Sequence, residues 1–368
     1  MVKILHIAQT DTPHTCDVFK QIKEHTDFKH AIISCTPNKF MNDSVYDDIP
    51  IYVHNYLDYT DTPAMRSMVD YALSVENPDL IIGHSFSQVA TILNYTLSNT
   101  DLPAMAFIWA YCDCIKSFHT AQFKKIFFDN LKVLSKLNFL VTTNKVLTAG
   151  AIRDYKIAAT DFVEACPPVH LSQYTDHIPK TTKPILLLAK ARCEKYIYAS
   201  LPIAFKQFPN LEVHAFRTPI GIALAQKLGI YKKIIYHDVM TQESFAELLK
   251  SVNIVHTITP DPGTGGTAMQ ASYAGCINLM RNCNTSVGMI NDKYNAFMCK
   301  LTIEDVTKKL LHSIQNVDFL CKYFKENNKH LIKYDRDNTW NNLYKALLTC
   351  LAGKKNKIAP GVTVPDEI

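Results

Sequence analysis

Short runs of apolar residues alternate with amphipathic stretches along most of this 368-residue chain. The first series of runs is VKILHIA, HAIISC, IPIYV, DLIIGHS, AMAFIWA and NFLVTT, and the second is PILLLAK, LEVHAF, KIIYHDV, NIVHTIT and CINLMRN. Continuous apolar runs separated by helical stretches are typical of parallel strands, which helices cover on both faces. The alternation therefore predicts an α/β fold with two doubly wound, Rossmann-like domains.

A proline-rich segment separates the two series of strands. Residues 164–184 contain four prolines and no clear periodicity, which is typical of a linker. We predict an N-terminal domain over residues 1–165, a linker over 166–182, a C-terminal domain over 183–335, and a last helix with a basic tail over 336–368 that returns to the first domain. Such sheets bind ligands at the carboxyl ends of their strands, so a cleft is expected where the two domains face each other.

Composition excludes several classes of protein. The eleven cysteines are scattered without a C-x-x-C or H-E-x-x-H pattern, so we expect a reducing compartment and no structural zinc site, whereas a divalent metal with the donor is not indicated but stays open. No apolar run approaches the roughly 20 residues that cross a bilayer, and the N-terminus resembles a strand more than a signal peptide. A cytoplasmic location is therefore expected. The net charge of +5 permits a polyanionic partner without requiring one.

The stretch DPGTGGTAMQASYAG, residues 261–275, contains four of the chain's eleven glycines and runs into a predicted helix. Glycine is used where φ must be positive or where a ligand must approach the backbone. A glycine-rich loop before a helix aims several N–H groups and a partial positive charge at one point, which suits a phosphate or a sugar hydroxyl. A tight turn between a strand and a helix is the alternative explanation.

This layout, with the loop in that place, resembles the nucleotide-sugar glycosyltransferases of the GT-B fold. Retaining families open the second domain with G-R-x-x-x-E-K-G, and the segment AKARCEKY, Ala189–Tyr196, keeps that spacing without the two glycines. Lys190 stands in the Arg place and Lys195 in the Lys place. The resemblance implies that both lysines bind the donor diphosphate, where cations counter the charge on the leaving nucleotide. A solvated basic stretch is the alternative.

The glycine stretch carries the second part of the resemblance. The family form is E-G-F-G followed by E-A-M-A-x-G, with Pro262 and Gln270 here in the places of the two glutamates. Gln270 can still bond both hydroxyls of a ribose, because an amide donates and accepts. Pro262 cannot replace a carboxylate, so the sugar and the stereochemical outcome stay open. The resemblance implies a UDP-sugar donor bound by Gly263, Thr264, Gly265, Gly266, Thr267 and Gln270.

The first domain resembles a different subgroup, the phage DNA glucosyltransferases that modify hydroxymethylcytosine. Their catalytic aspartate follows a strand of the first domain, and here Asp113 follows the predicted strand 104–110. The resemblance implies that Asp113 accepts the proton of the acceptor hydroxyl. It also implies a 5-hydroxymethylated pyrimidine in phage DNA as the acceptor. The alternative for Asp113 is the N-cap of a helix.

Several further residues are candidates for contact with the acceptor. Residues 121–137 are predicted as an amphipathic helix that presents Lys124 and Lys125 to DNA phosphates, although a solvated helix face has the same pattern. Trp109, Tyr111 or Phe118 would stack against a base that is flipped out of the duplex. His84 ends a predicted strand, and His14 lies in a predicted loop, where a turn role is the alternative.

Two other functions stay open. The enzyme expected from the resemblance is a hexosyl- or pentosyltransferase, and the first alternative is a glycosyltransferase that acts on a lipid or polysaccharide precursor. The other is a non-catalytic protein that binds a nucleotide sugar or a nucleic acid, because Pro262 replaces a carboxylate and a fold does not determine a function. No cofactor besides the donor is required, and the D-R-D sequence at 335–337 is interpreted as helix capping and not as a metal motif.

Overall fold

The computed structural model describes residues 1–8, 13–35, 46–53, 61–84, 86–108, 131–142, 148–149, 152, 162–165, 169–189, 194–238, 240–258, 266–281, 290 and 294–352. The chain divides into two compact units, one of Met1–Pro168 with Arg336–Ile368 and one of Val169–Asp335. Each unit contains a parallel sheet with helices. The predicted α/β class with two doubly wound domains is confirmed.

In the described part of the first unit, seven parallel strands form one sheet in the order β3-β2-β1-β4-β5-β6-β7. The order reverses between β1 and β4, so the carboxyl ends of these two strands form the switch point where such sheets bind ligands. The strands are β1 Lys3–Ala8, β2 Lys29–Ser34, β3 Ile51–Val53, β4 Leu80–Gly83, β5 Ala104–Ile108, β6 Phe139–Thr142 and β7 Phe162–Glu164.

Helices cover both faces of this sheet. Neighbouring residues of each strand point to opposite faces, so they pack against different helices. Ile4 packs with Val18 of one helix and Leu343 of another, whereas Leu5 packs with Val69 on the opposite face. The helices are α1 Pro13–His25, α2 Pro63–Glu76, α3 Phe86–Ser98 and, from the end of the chain, α10 Arg336–Leu351.

The helix predicted over residues 121–137 falls mostly outside the described residues. Its last part, Leu131–Lys136, forms a 3-10 helix that packs against α3. Val133 and Leu134 are buried there, and the N–H of Leu137 donates to the carbonyl of Leu134 at 3.2 Å. The tighter turn follows from this i to i+3 hydrogen bond.

In the second unit, the described strands form a parallel sheet in the order β10-β9-β8-β11-β12-β13, with its switch point between β8 and β11. The strands are β8 Ile185–Leu188, β9 Glu212–Phe216, β10 Ile234–His237, β11 Ile254–His256, β12 Ile277–Met280 and β13 Phe297–Met298. The helices are α4 Glu194–Gln207, α5 Pro219–Lys227, α6 Gln242–Ser251, α7 Gly266–Tyr273, α8 Ile303–Gln315 and α9 Val317–Asn327.

Side-chain caps fix where several of these helices begin. Thr218, Thr241 and Thr302 are the N-caps of α5, α6 and α8, and each hydroxyl accepts a backbone N–H three residues later. Asp335, from the D-R-D sequence, accepts the N–H groups of Leu171 and Ser172 at 2.6 and 2.7 Å. This carboxylate therefore caps a turn within the second unit.

Candidate functional site

The two segments that were predicted to bind the donor leave the sheet of the second unit from neighbouring strands. Leu188 at the end of β8 pairs with His256 at the end of β11, and the N–H of Ala189 donates to the carbonyl of His256 at 3.1 Å. The segment with Lys190 and Lys195, residues 189–196, is called the lysine segment and follows Leu188. The segment with Gly263 and Gly265, residues 259–265, is called the glycine segment and follows Ile258. Both segments therefore begin at the switch point of this sheet, although they are far apart in the sequence.

The helix that follows each segment begins at the same edge of the sheet. α4 starts at Glu194 and α7 starts at Gly266. The first N–H groups of a helix have no partner inside the helix, and together with the helix dipole they attract an anion. The first turn of α7 contains no acidic residue that would oppose this. All residues of α7 except Thr267 are buried, so the surrounding core fixes this helix in place.

Asn278 holds both sides of the glycine segment. This residue of β12 is fully buried, and its Oδ1 accepts a hydrogen bond from Oγ1 of Thr257 at 2.7 Å. Its Nδ2 donates to the carbonyl of Ala268 at 3.1 Å and to Oγ of Ser272 at 3.2 Å. Thr257 precedes residues 259–265, and Ala268 follows them. One amide therefore connects the chain before the segment to the helix after it.

Lys325 fixes the opposite end of α7. Its Nζ donates to the carbonyl of Tyr273, the last residue of the helix, at 2.9 Å and to the carbonyl of Tyr174 at 2.7 Å. A cation at a helix C-terminus is favourable because of the helix dipole. The turn beyond it requires glycine, since Gly275 has φ of 87° and an added Cβ would lie 3.1 Å from atoms of Lys325 and Pro179.

The described donor candidates differ in their exposure. Lys195, the second residue of α4, is exposed, and its Nζ lies 4.9 Å from the centre of the Tyr196 ring. Gln270 is 7% exposed within α7, Thr267 is half-buried and Gly266 is buried. The remaining donor candidates lie outside the described residues and stay predictions: Lys190, Gly263, Thr264 and Gly265.

Glu194 was not predicted to have a role, although it stands beside Lys195. Its Oε1 accepts a hydrogen bond from Oγ1 of Thr218 at 2.8 Å, and its Oε2 is buried without a hydrogen-bond partner in the described part of the chain. Burial raises the pKa of Glu194, and the hydrogen bond from Thr218 offsets part of that rise. The glutamate of the E-K pair in the sequence pattern was the available signal.

Arg217 is a second residue that the sequence analysis missed. It follows β9 directly, and its Nε lies 3.0 Å from Oδ1 of Asp238, which follows β10. Its guanidinium lies 5.8 Å from the centre of the Tyr236 ring. An exposed arginine and an aromatic ring at the carboxyl edge of a sheet offer a surface on which a planar group can stack. The position directly after a predicted strand was the signal.

In the first unit, His84 follows β4 directly, as predicted. Its N–H donates to the carbonyl of Ile7 at 2.8 Å, which places it at the switch point between β1 and β4. The side chain is fully buried, and its Nε2 lies 2.9 Å from Nδ1 of His6. Burial lowers the pKa of His84 to about 3, so the ring is neutral at physiological pH. The sequence analysis did not predict the contact with His6.

His14 lies in a helix, so its prediction as a loop residue was wrong. α1 begins at Pro13, and proline is favoured at the first position of a helix because its missing N–H would have no partner there. The other candidates for the acceptor and for catalysis lie outside the described residues and stay predictions: Trp109, Asp113, Lys124 and Lys125.

Metal clusters and membrane-spanning helices are both absent from the residues that the structure describes. No group of three or more His, Cys, Asp or Glu side chains there could hold a metal ion. No helix in the same ranges is both long enough and apolar enough to cross a membrane.

The chain matches no protein-family model, and no curated protein is significantly similar to it in sequence. Solved structures share its fold. A glycosyltransferase from Rickettsia africae superposes with a TM-score of 0.68 at 14% identity, over 96% of this chain and 99% of that chain. HepE from Anabaena, solved with UDP and glucose, gives 0.72 at 11% identity, over 95% and 100%. A UDP-GlcNAc 2-epimerase from Neisseria meningitidis, bound to UDP-GlcNAc, gives 0.70 at 12% identity, over 95% and 100%.

These likenesses establish the fold. The two parallel-sheet units have the architecture of GT-B glycosyltransferase structures. The same architecture carries both glycosyl transfer and epimerisation among the neighbours. The fold alone therefore does not determine which reaction the residues of this chain carry out.

Proposed function

We propose that this protein is a glycosyltransferase that takes its sugar from a UDP-sugar. The observation that carries the proposal is the pairing of β8 with β11, from whose ends the lysine segment and the glycine segment both leave. Two segments with the composition of phosphate-binding loops at one switch point are what a nucleotide diphosphate requires. The complexes of structural neighbours with UDP support the choice of nucleotide.

In this proposal the diphosphate lies against the first turns of α4 and α7. Their N–H groups and the ammonium groups of Lys190 and Lys195 would bind its oxygens, and these positive charges would stabilise the UDP that leaves. Lys195 suits this role because it is exposed and forms no ion pair with any described carboxylate. Gln270 would bond the ribose through its amide.

The acceptor side of the proposal rests on the first unit. The acceptor hydroxyl attacks the anomeric carbon of the sugar, the bond from that carbon to UDP breaks, and Asp113 takes the hydroxyl proton. The favoured acceptor is a 5-hydroxymethylated pyrimidine in DNA, with phosphate contacts from Lys124 and Lys125 and stacking on Trp109. His14 and His84 complete the candidates, and both follow strands that border the switch point.

A second candidate function is the epimerisation of a UDP-sugar. The neighbour from Neisseria meningitidis favours it, because that epimerase shares the fold over 95% of this chain with a TM-score of 0.70. An epimerase needs no acceptor. It returns an isomer of the donor and releases no UDP in proportion to a glycosylated product.

One experiment separates these functions. The purified protein is incubated with a panel of UDP-sugars and with duplex DNA that contains hydroxymethylcytosine, and unmodified DNA of the same sequence is the control. UDP release and the masses of the digested nucleosides are then measured. A nucleoside heavier by one sugar supports the proposal.

The other outcomes point to other functions. UDP release without modified DNA shows that the donor is hydrolysed, with water taking the sugar, and the same panel is then repeated with lipid and polysaccharide acceptors; an isomerised UDP-sugar identifies an epimerase. Binding of UDP without turnover of any donor identifies a binding protein. A protein that does not bind UDP at all overturns the proposal.

A further inference from the structure

Three buried histidines form a hydrogen-bonded chain across the sheet of the first unit. We propose that His30, His6 and His84 form a proton relay. The relay takes up a proton at Nδ1 of His84, at the carboxyl edge of β4, and releases one at Nε2 of His30. Its use in sugar transfer rests on the proposed function. Its operation as a proton pathway depends on geometry alone and can be tested without any activity.

The geometry of the relay comes from three neighbouring strands. His30 lies on β2, His6 lies on β1 and His84 follows β4, in the spatial order β2-β1-β4. Nε2 of His6 lies 3.1 Å from Nδ1 of His30, and Nδ1 of His6 lies 2.9 Å from Nε2 of His84. Both nitrogens of the central ring are therefore used. An N–H···N chain of three rings results.

The nitrogen atoms at the two ends of this histidine chain are unpaired. Nδ1 of His84 and Nε2 of His30 are buried, and neither has a hydrogen-bond partner in the described part of the protein. Buried polar atoms are nearly always paired, so each exception requires an explanation. The two unpaired atoms at the ends of the histidine chain are explained if Nδ1 of His84 meets a substrate group or water and Nε2 of His30 meets water.

The chemistry of neutral imidazole gives the chain two equivalent states. Each neutral ring has one N–H and one bare nitrogen, so two shared hydrogen bonds make all three rings point the same way. In one state Nδ1 of His84 is bare and Nε2 of His30 carries a hydrogen. When a proton enters at Nδ1 of His84, two protons shift along the hydrogen bonds and one leaves Nε2 of His30. The result is the reverse state, and no ring is left charged.

The surroundings of the three rings favour such a relay over a single charged base. The ring of Phe19 lies 4.0 Å from that of His6, and the ring of Phe107 is stacked 5.3 Å from that of His84. Burial lowers the pKa of His84 to about 3 and that of His30 to about 4, with the charge of Lys23 adding to the effect on His30. A histidinium ion is therefore disfavoured here, whereas a relay keeps every ring neutral.

The atoms of the proposed reaction balance. The acceptor oxygen bonds to the anomeric carbon as its O–H proton passes to Nδ1 of His84, directly or from Asp113. The bond from the anomeric carbon to the UDP oxygen breaks, and its electron pair leaves with UDP. A proton leaves Nε2 of His30. After product release, water takes the proton from His84 while His30 takes one up, which restores the first state.

The first arm of the test is NMR of the full-length protein with 15N-labelled histidine, which needs no substrate. The relay predicts three neutral rings between about pH 5 and pH 9, with nitrogen–nitrogen coupling across both hydrogen bonds. In His6→Phe this coupling should vanish and the tautomer of His84 should change. The exposed His330 supplies the control, because His330→Gln should leave these signals unchanged. A ring of the three that titrates alone near pH 6.5, or an unchanged His84 tautomer in His6→Phe, overturns the relay.

The second arm is kinetic. In His6→Phe the rate of sugar transfer should fall by about 10²-fold while the Kd for UDP stays the same. A plot of the wild-type rate against the fraction of deuterium in the solvent should be curved, because several protons move in one step. The same plot for the variant should be linear. His6→Gln, which keeps polar atoms in the core, replaces His6→Phe if that variant unfolds. An unchanged rate overturns the relay.

The two arms separate the relay from the proposed function. Wild-type protein that transfers no sugar contradicts the proposed function, and the NMR arm then still decides the relay. Failure of the NMR arm in a protein that transfers sugar overturns the relay alone.

Discussion

Asn278 and Thr257 are joined by a hydrogen bond of 2.7 Å between Oδ1 of the amide and Oγ1 of the hydroxyl. Because the same amide also donates to Ala268, the bond ties the two ends of the glycine segment to β12. A binding segment whose ends are already ordered loses less conformational freedom when a ligand binds. The buried amide therefore favours a preformed phosphate site.

Replacing Asn278 by leucine should reduce both stability and UDP affinity. The change leaves Thr257 and Ser272 without this partner in a buried site, which costs about 1–3 kcal/mol. Asn253 offers a matched control, since it is also fully buried but bonds Ile185, Lys180 and Lys183 at the start of β8. Asn253→Leu should lower the melting temperature comparably and leave the UDP affinity of the folded protein unchanged. Equal losses of UDP affinity in both variants would contradict the role of Asn278.

Removal of the lysines of the first segment should weaken UDP binding. A charge-assisted bond to phosphate contributes roughly 1.5–3 kcal/mol, so Lys190→Ala and Lys195→Ala should each raise the Kd for UDP by about tenfold or more in calorimetric titration. Lys206 is exposed on the last turn of the same helix, and Lys206→Ala is the control. Unchanged affinity in both Lys190→Ala and Lys195→Ala would remove the assignment.

Apolar patterning predicted the strands because a strand buried on both faces must be apolar throughout. Every predicted run contains a strand. No predicted run covers β7, whose three residues are all only half-buried, or β13, which has two residues. The meeting of the two donor segments required the strand order, which places β8 beside β11. Individual strands can therefore be predicted from the sequence more readily than their neighbours in the sheet.

The histidine chain shows the same limit more sharply. His6 interrupts an apolar run and His30 begins one, and a single buried histidine on a strand has no distinctive pattern. Their contact depends on register, since His30 pairs with Ile4 and His6 pairs with Ile82. Glu194 was also missed, because its burial and its bond to Thr218 arise from the packing of α4 beside α5. Tertiary neighbours decide the state of such groups.

Asp113→Asn separates the two interpretations of that residue. An amide keeps the size and much of the capping ability of the carboxylate but cannot accept a proton at neutral pH. Loss of a general base should lower the turnover rate by about 10²–10⁴-fold, with UDP affinity and melting temperature nearly unchanged. A helix cap would instead tolerate asparagine well. Near-normal turnover in the variant would exclude the general base and leave capping.

The predicted helix over residues 121–137, with Lys124 and Lys125, predicts a salt-dependent interaction with DNA. If Lys124 and Lys125 contact phosphates, the logarithm of affinity should fall with the logarithm of salt concentration, and replacing both lysines by alanine should reduce that slope by about two. Fluorescence anisotropy with labelled duplex DNA measures the slope. Lys354→Ala combined with Lys355→Ala tests whether the basic tail contributes separately. DNA binding that does not depend on salt would contradict the phosphate contacts.

The buried histidines should make the stability of the protein depend on pH. The pKa values of His84 and His30 in the folded protein are about 3 and about 4, below the usual value of 6.5. The unfolded chain therefore binds more protons below pH 6.5, so the stability is complete above about that pH and declines as the pH falls toward 4 for His30 and toward 3 for His84. For shifts of this size the loss is about 2 kcal/mol per ring at pH 5.

Urea denaturation at pH 8, 7, 6 and 5 measures this dependence. His84→Phe removes one of the titrating groups, so the variant should lose less stability than the wild type between pH 7 and pH 5, whatever its stability at pH 8. His330→Gln removes an exposed histidine and should leave the dependence unchanged. If the wild type were as stable at pH 5 as at pH 7, at least one buried ring would have to carry a proton in the folded protein. The neutral chain on which the relay depends would then be excluded.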